Sequence, residues 1–159
     1  MGNEIWQVVV QEFSDIPDAA EMTRIGLRLL LAALLGGVLG FERESKGKSA
    51  GLRTHMLVAL GAAFFVLVPQ QSGASGEAMS RVIQGIVAGV GFLGAGAILK
   101  RGNQEEAKGL TTAASIWLTA AIGIAAGMGR EASAVLCTLL ALVILWVLPK
   151  ISKLLGHED

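Results

Sequence analysis

The sequence predicts an all-α polytopic integral membrane protein with five transmembrane helices, the first four forming two repeated hairpins. Three observations carry this prediction. In 159 residues, 53% are apolar, 16% are charged and mean hydropathy is +0.61, whereas a soluble domain of this size must cover a large surface with polar side chains. Five stretches are long and apolar enough to cross a bilayer at roughly 17 to 25 residues each. Twelve of the 21 glycines sit inside those stretches, where helices associate by close backbone approach. Net charge is zero, with 13 basic and 13 acidic residues, so no basic field points to nucleic acid. A single cysteine, Cys137, excludes an intrachain disulfide framework and a Cys-rich metal site.

Residues 1–24 carry Glu4, Glu12, Asp15, Asp18 and Glu21 and lack the basic start and apolar core of a signal peptide. Ile5, Trp6, Val9 and Phe13 fall near one helical face, which predicts a short interfacial helix outside the cytoplasm. The membrane domain, residues 25–148, divides into spans at Ile25–Phe41, Leu52–Val68, Val82–Leu99, Leu110–Met128 and Ala132–Leu148. Arg28, Arg53 and His55 sit within a turn of a span boundary, where long basic side chains reach the headgroups. Residues 149–159 form a short tail.

Basic residues set the orientation. One side holds Arg43, Lys46, Lys48, Arg53, Lys100, Arg101, Lys108, Lys150 and Lys153; the other holds Arg24, Arg28, Arg81 and Arg130. This bias puts the N-terminus outside and the C-terminus in the cytoplasm. Trp146 beside Pro149 and Lys150 suits an anchor at the cytoplasmic interface.

The first hairpin reads Gly36-Gly37-Val38-Leu39-Gly40, a charged loop, then Gly51-Leu52-Arg53-Thr54. The second reads Gly91-Phe92-Leu93-Gly94-Ala95-Gly96, a charged loop, then Gly109-Leu110-Thr111-Thr112. Two spans per unit make the repeats parallel, related by an axis along the membrane normal; the fifth span braces them. Small residues four apart make rows at Ala32, Gly36 and Gly40, at Gly85 and Gly89, and at Ala121, Ala125 and Gly129. Each row either packs the bundle internally or joins copies into a homo-oligomer. Gly91, Gly94 and Gly96 mark either a tight crossing or a helix break that exposes carbonyls.

Polar residues gather at the cytoplasmic rim: Glu42, Arg43, Glu44, Lys48, Arg53, Thr54 and His55, with Thr111 and Thr112 from the second repeat. Thr54, Thr111 and Thr112 are placed to cap helix N-termini. The charges have three readings. They form a structural clasp (Glu42 with Lys46, Arg43 with Glu44 or another loop), or they dock a partner's segment. In the third, Glu42 and Glu44 offer hard oxygens to Mg²⁺, with Glu105 or Glu106 completing the set. No other cofactor is implied. Arg81 and Gln84 open the third span and can share a face for interhelical hydrogen bonds. Trp117 lies two turns into the fourth span as a core aromatic, Cys137 is a small apolar filler, and His157 is inert in the tail. There is no nucleotide loop, His-x-x-x-His pair or Ser-His-Asp set, and Gly89, Gly91 and Gly94 match G-x-G-x-x-G without the flanking strand that pattern requires. The chain is not expected to be an enzyme.

Gly40-Phe41-Glu42-Arg43-Glu44 with Lys48-Ser49-Ala50-Gly51-Leu52-Arg53-Thr54-His55 resembles the signature of the MgtC/SapB membrane family. Gly89 to Ile98 and Lys108 to Trp117 resemble its other two motifs. The resemblance covers the first four spans and implies a bacterial inner-membrane protein linked to growth in low magnesium and survival inside host cells. It implies a regulator, with the F-type ATP synthase as a candidate membrane partner, rather than the transporter of the family's historical name. Family positions matched here are Glu42, Arg43, Glu44, Lys48, Arg53, Thr54, Arg81, Gln84, Thr111, Thr112 and Trp117. Two departures stand out: Glu77-Ala78-Met79-Ser80-Arg81 lacks the Asp-Pro step of many relatives, and the sequence ends 11 residues after the fifth span, where many relatives continue into a soluble domain. The expected role is a non-enzymatic regulator of Mg²⁺ homeostasis acting through the rim. The alternatives are an ion channel or transporter, for which Arg81, Gln84 and Thr112 are the few lining candidates, and a purely structural oligomer.

Overall fold

The computed structural model describes residues 2–14, 18–98 and 109–154, with side chains to residue 151. Its elements are α1 (Gly2–Glu12), α2 (Ala19–Ser45), α3 (Leu52–Gln71), α4 (Gly76–Ala97), α5 (Leu110–Gly127) and α6 (Glu131–Leu154). The five helices after α1 are each long and apolar enough to span a membrane. Lys100, Arg101, Glu105, Glu106, Lys108 and His157, and the Lys153 side chain, lie outside the described residues.

Helix ends follow local chemistry more than apolar content. Asp18 starts α2 by accepting the Glu21 amide at 2.7 Å, and Ser75 starts α4 by accepting that of Ala78 at 3.2 Å; both helices therefore begin six residues before the apolar spans read from sequence. Gly47, at φ +64°, closes α2 with the paired bonds Gly47 N–H to Glu44 C=O (2.9 Å) and Lys48 N–H to Arg43 C=O (3.0 Å), a glycine-dependent C-cap. That cap carries α2 four residues past Phe41. Gly129, at φ +74°, ends α5 in the same way. α6 runs through Pro149 to Leu154 instead of stopping at Leu148. The predicted N-terminal helix is present, with Ile5, Trp6, Val9 and Phe13 all exposed.

α5 is the axis of the bundle and touches α2, α3, α4 and α6. On one side it packs with α3 and α4 around Ala62, Val66, Ile86, Val90, Ile116 and Ala120. On the other it packs with α2, α3 and α6 around Ala32, Leu39, Ala59, Ala63, Ile122 and Ala134. α6 leans on α2 and α5, as expected of a brace. The hairpin repeat is visible in three dimensions. A Cβ on Gly36 would lie 2.6 Å from the His55 carbonyl oxygen, and one on Gly94 would lie 3.7 Å from that of Ala113, the residue equally far along the second hairpin.

The glycine rows divide. Ala32 is buried, and side chains at Gly36 and Gly40 would overlap α3, at 2.8 Å from Ala59 Cβ and 2.7 Å from Leu52 Cα, so this row is internal packing. Gly85, Gly89, Gly91 and Gly96 face open space. Only Gly94 of its cluster meets a neighbour, and α4 continues unbroken past it to Ala97, so the helix-break reading fails within the described residues. On α5 the close approaches fall at Gly123, against the Ala59 backbone, and Gly127, 2.5 Å from the Ala63 oxygen; Ala121 and Ala125 are only half-buried.

Candidate functional site: a buried polar junction

At the end of the bundle carrying the 45–51 turn, α2, α3 and α5 enclose ionisable side chains that sequence reading placed on an exposed rim. Glu42 and Arg43 are 5% and 4% exposed, and His55 is fully buried. The Arg43 guanidinium engages one Glu42 oxygen, Oε2, through both Nε and Nη2. Adjacent helix positions diverge, so their spacing gives no hint of this pair. It replaces the anticipated clasps of Glu42 with Lys46 and Arg43 with Glu44. Glu42 Oε1 is buried with no hydrogen-bond partner among the described residues.

His55 lies within electrostatic reach of both charges. Its Nδ1 is 2.9 Å from the Gly51 carbonyl oxygen, which only accepts, so Nδ1 carries a proton. Its Nε2 is 3.2 Å from Ser115 Oγ, and that hydroxyl donates to the Thr112 carbonyl at 2.8 Å. With the hydroxyl proton on Thr112, Nε2 bonds Ser115 only as a donor, which needs a doubly protonated ring; with a neutral ring the hydroxyl must turn to Nε2. Ring charge and hydroxyl direction are therefore tied. Thr119 Oγ1 continues the polar face of α5 by donating to the Ser115 carbonyl at 2.8 Å. Thr112, Ser115 and Thr119 recur at helical spacing inside an apolar helix, a signal in the sequence that goes unread when Thr112 is taken only as a cap.

The remaining rim residues point outward. Lys46, Lys48, Arg53, Thr54 and Thr111 are exposed, so the junction has a neutralised interior and a basic exterior. No predicted threonine cap forms. The N-caps are Gly51 and Gly109, and the amide of Leu52 is capped by the Glu44 carboxylate at 2.8 Å. A Cβ on Gly51 would collide with Glu44, and one on Gly109 with the backbone at Ala97, so glycine holds both positions and the threonines fall a turn inside.

The Mg²⁺ set read from sequence needs Glu105 or Glu106, which lie outside the described residues. That ion takes oxygen ligands at octahedral geometry, but one Glu42 oxygen is occupied by Arg43 and one Glu44 oxygen by Leu52. Among the described residues no three His, Cys, Asp or Glu side chains converge.

Arg81 and Gln84 do not reach across helices. Arg81 pairs with Glu77 on α4 at 2.6 Å, and the Gln84 amide donates to Ser80 at 3.4 Å, all exposed. Trp117 is 48% exposed and is no core residue, because its position turns away from the Thr112–Ser115–Thr119 face. At the opposite end Arg28 is mostly buried and ties three helix ends together: its Nη1 donates to the Gly127 carbonyl at 3.3 Å and to Gln70 at 3.4 Å, and its Nε lies 3.6 Å from Glu131. A cation at the carbonyl end of α5 is favourable for the helix dipole. Lys150 sits 5.9 Å over the Trp146 ring, the arrangement expected of an interfacial anchor. Two described clefts, of about 530 and 320 Å³, are lined by apolar residues of α2, α3 and α4.

The chain matches the sequence profile of the MgtC family over residues 29–154. It is 51% identical over 116 residues to Protein SrpB of Synechococcus elongatus, covering 66% of this chain and 64% of that protein. It is 41% identical over 140 residues to the Escherichia coli K12 protein named "Putative magnesium transporter YhiD", covering 84% and 64%. To Protein MgtC of Salmonella typhimurium it is 43% identical over 116 residues, covering 73% and 48%. The chain thus spans about half to two thirds of these relatives' lengths. No solved structure matches it.

Proposed function

This chain belongs to the MgtC family, and from that premise we propose that it is a non-enzymatic regulator of Mg²⁺ homeostasis in the bacterial inner membrane, acting from its charged end on a membrane partner such as the F-type ATP synthase. The observation that carries this reading is the junction itself. Glu42, Arg43 and His55 are turned inward: the first two pair with each other on α2, and His55 ties α3 to α5 through Ser115. Lys46, Lys48 and Arg53 remain exposed as a basic surface suited to an acidic partner segment. Transport is the second reading, favoured by the name of the YhiD relative and by a Glu42 oxygen that has no partner among the described residues.

Co-reconstitution with an F-type ATP synthase in liposomes holding a Mg²⁺ dye tests both. The regulator reading expects ATP-driven proton pumping to fall severalfold when the chain is present, with no Mg²⁺ uptake, and to recover when Lys46, Lys48 and Arg53 are replaced by Gln. Gradient-driven uptake, lost in Glu42→Gln, would instead make this a transporter. Unchanged pumping would remove the synthase as partner.

A further inference from the structure

Among the described residues α4 touches only α3 and α5, and its outward side has an unusual composition. Glu77, Arg81, Gln84, Ala88, Gly91 and Ala95 recur at alternating four- and three-residue steps, and all six are exposed. That spacing makes a straight seam along one side of a helix. α6 shows what a lipid-facing side of this protein looks like, exposing Leu136, Leu140 and Ile144. The α4 seam instead presents an ion pair, an amide and three small residues. Gln84 lies about 12 Å along the helix from Gly76 at 1.5 Å per residue, and among the described residues its side chain has one hydrogen bond, the 3.4 Å contact with Ser80. Two residues inside the apolar span that begins at Val82, the rest of that amide gains from a polar partner that lipid tails do not supply.

We propose that this seam is the contact face of a parallel homodimer of the chain. The occupant follows from self-complementarity. All copies insert with one orientation, so two meet about a twofold along the membrane normal, with identical surfaces facing. A carboxamide both donates and accepts, so Gln84 can pair with Gln84 of the second copy. Glu77 and Arg81 carry opposite charges one turn apart, so each Arg81 can take Glu77 of the other copy. Ala88, Gly91 and Ala95 then let the two helices close along the remaining length. The proposal does not depend on the regulatory reading.

The test is oxidative cross-linking of the full chain in liposomes, in a Cys137→Ala background. Ala88→Cys is expected to form a disulfide-linked dimer with copper phenanthroline, and Leu140→Cys on the lipid-facing side of α6 is not. Adding Gln84→Leu, an apolar change at a site exposed in the monomer, is expected to lower the dimer constant about 3- to 30-fold on dilution in lipid, the worth of one interhelical hydrogen bond. Equal cross-linking at both cysteines, or insensitivity to Gln84→Leu, would overturn the proposal. So would a monomeric Ala88→Cys chain of unchanged helicity, whose seam would then be covered by lipid or by a different protein's helix.

Discussion

Glu42 and Arg43 occupy one buried site as a pair because neither is tolerable there alone. Each charge without the other would sit uncompensated in a low-dielectric interior, at a cost of about 3–5 kcal/mol. Arg43→Met alone is therefore expected to destabilise the protein by about that amount in denaturant titrations in detergent. The double change Glu42→Leu with Arg43→Met should recover at least half of the loss, and equal losses would show the two to be uncoupled. The residue types of this site are plain in the sequence, but their direction is not. Position 42 lies on the side of α2 that meets α3 and α5, whereas Lys46, a turn later, lies past the end of the helix and in solvent. A charged residue at a helix end looks exposed until the packing of the next helix is known.

The glycines of α5 show what spacing conveys about an element and what it leaves open. A small-residue row at Ala121, Ala125 and Gly129 is evident from sequence, yet the α3 backbone lies against Gly123 and Gly127. Both rows keep the four-residue period, and helix rotation chooses between them. Gly123→Ala is expected to cost about 1–3 kcal/mol by driving a methyl into the Ala59 carbonyl. Gly85→Ala, with nothing within 4 Å, should change monomer stability by no more than about 0.5 kcal/mol. Thermal unfolding of the two variants in detergent checks the contrast, and similar losses would mean that α5 is rotated from its described position. Trp117 follows the same logic. An aromatic two turns into an apolar helix reads as core, but α5 directs its Thr112–Ser115–Thr119 side to the junction and leaves Trp117 outside.

For the whole molecule, the basic bias between the two ends predicts an external N-terminus and a cytoplasmic C-terminus. In intact cells, with Cys137→Ala as background, a maleimide that cannot cross the membrane should label Ser72→Cys in the α3–α4 turn. Lys46→Cys should react only after permeabilisation, and the reverse pattern would invert the topology. The number of spans, the hairpin repeat and the family motifs were determined by the sequence alone, because bilayer thickness and backbone hydrogen bonding act on each segment separately. Only the tertiary structure decided which charges are buried, which glycines meet a backbone and which side of α4 is left uncovered. Those depend on how each helix is rotated about its axis, and rotation is set by contacts between helices distant in the chain.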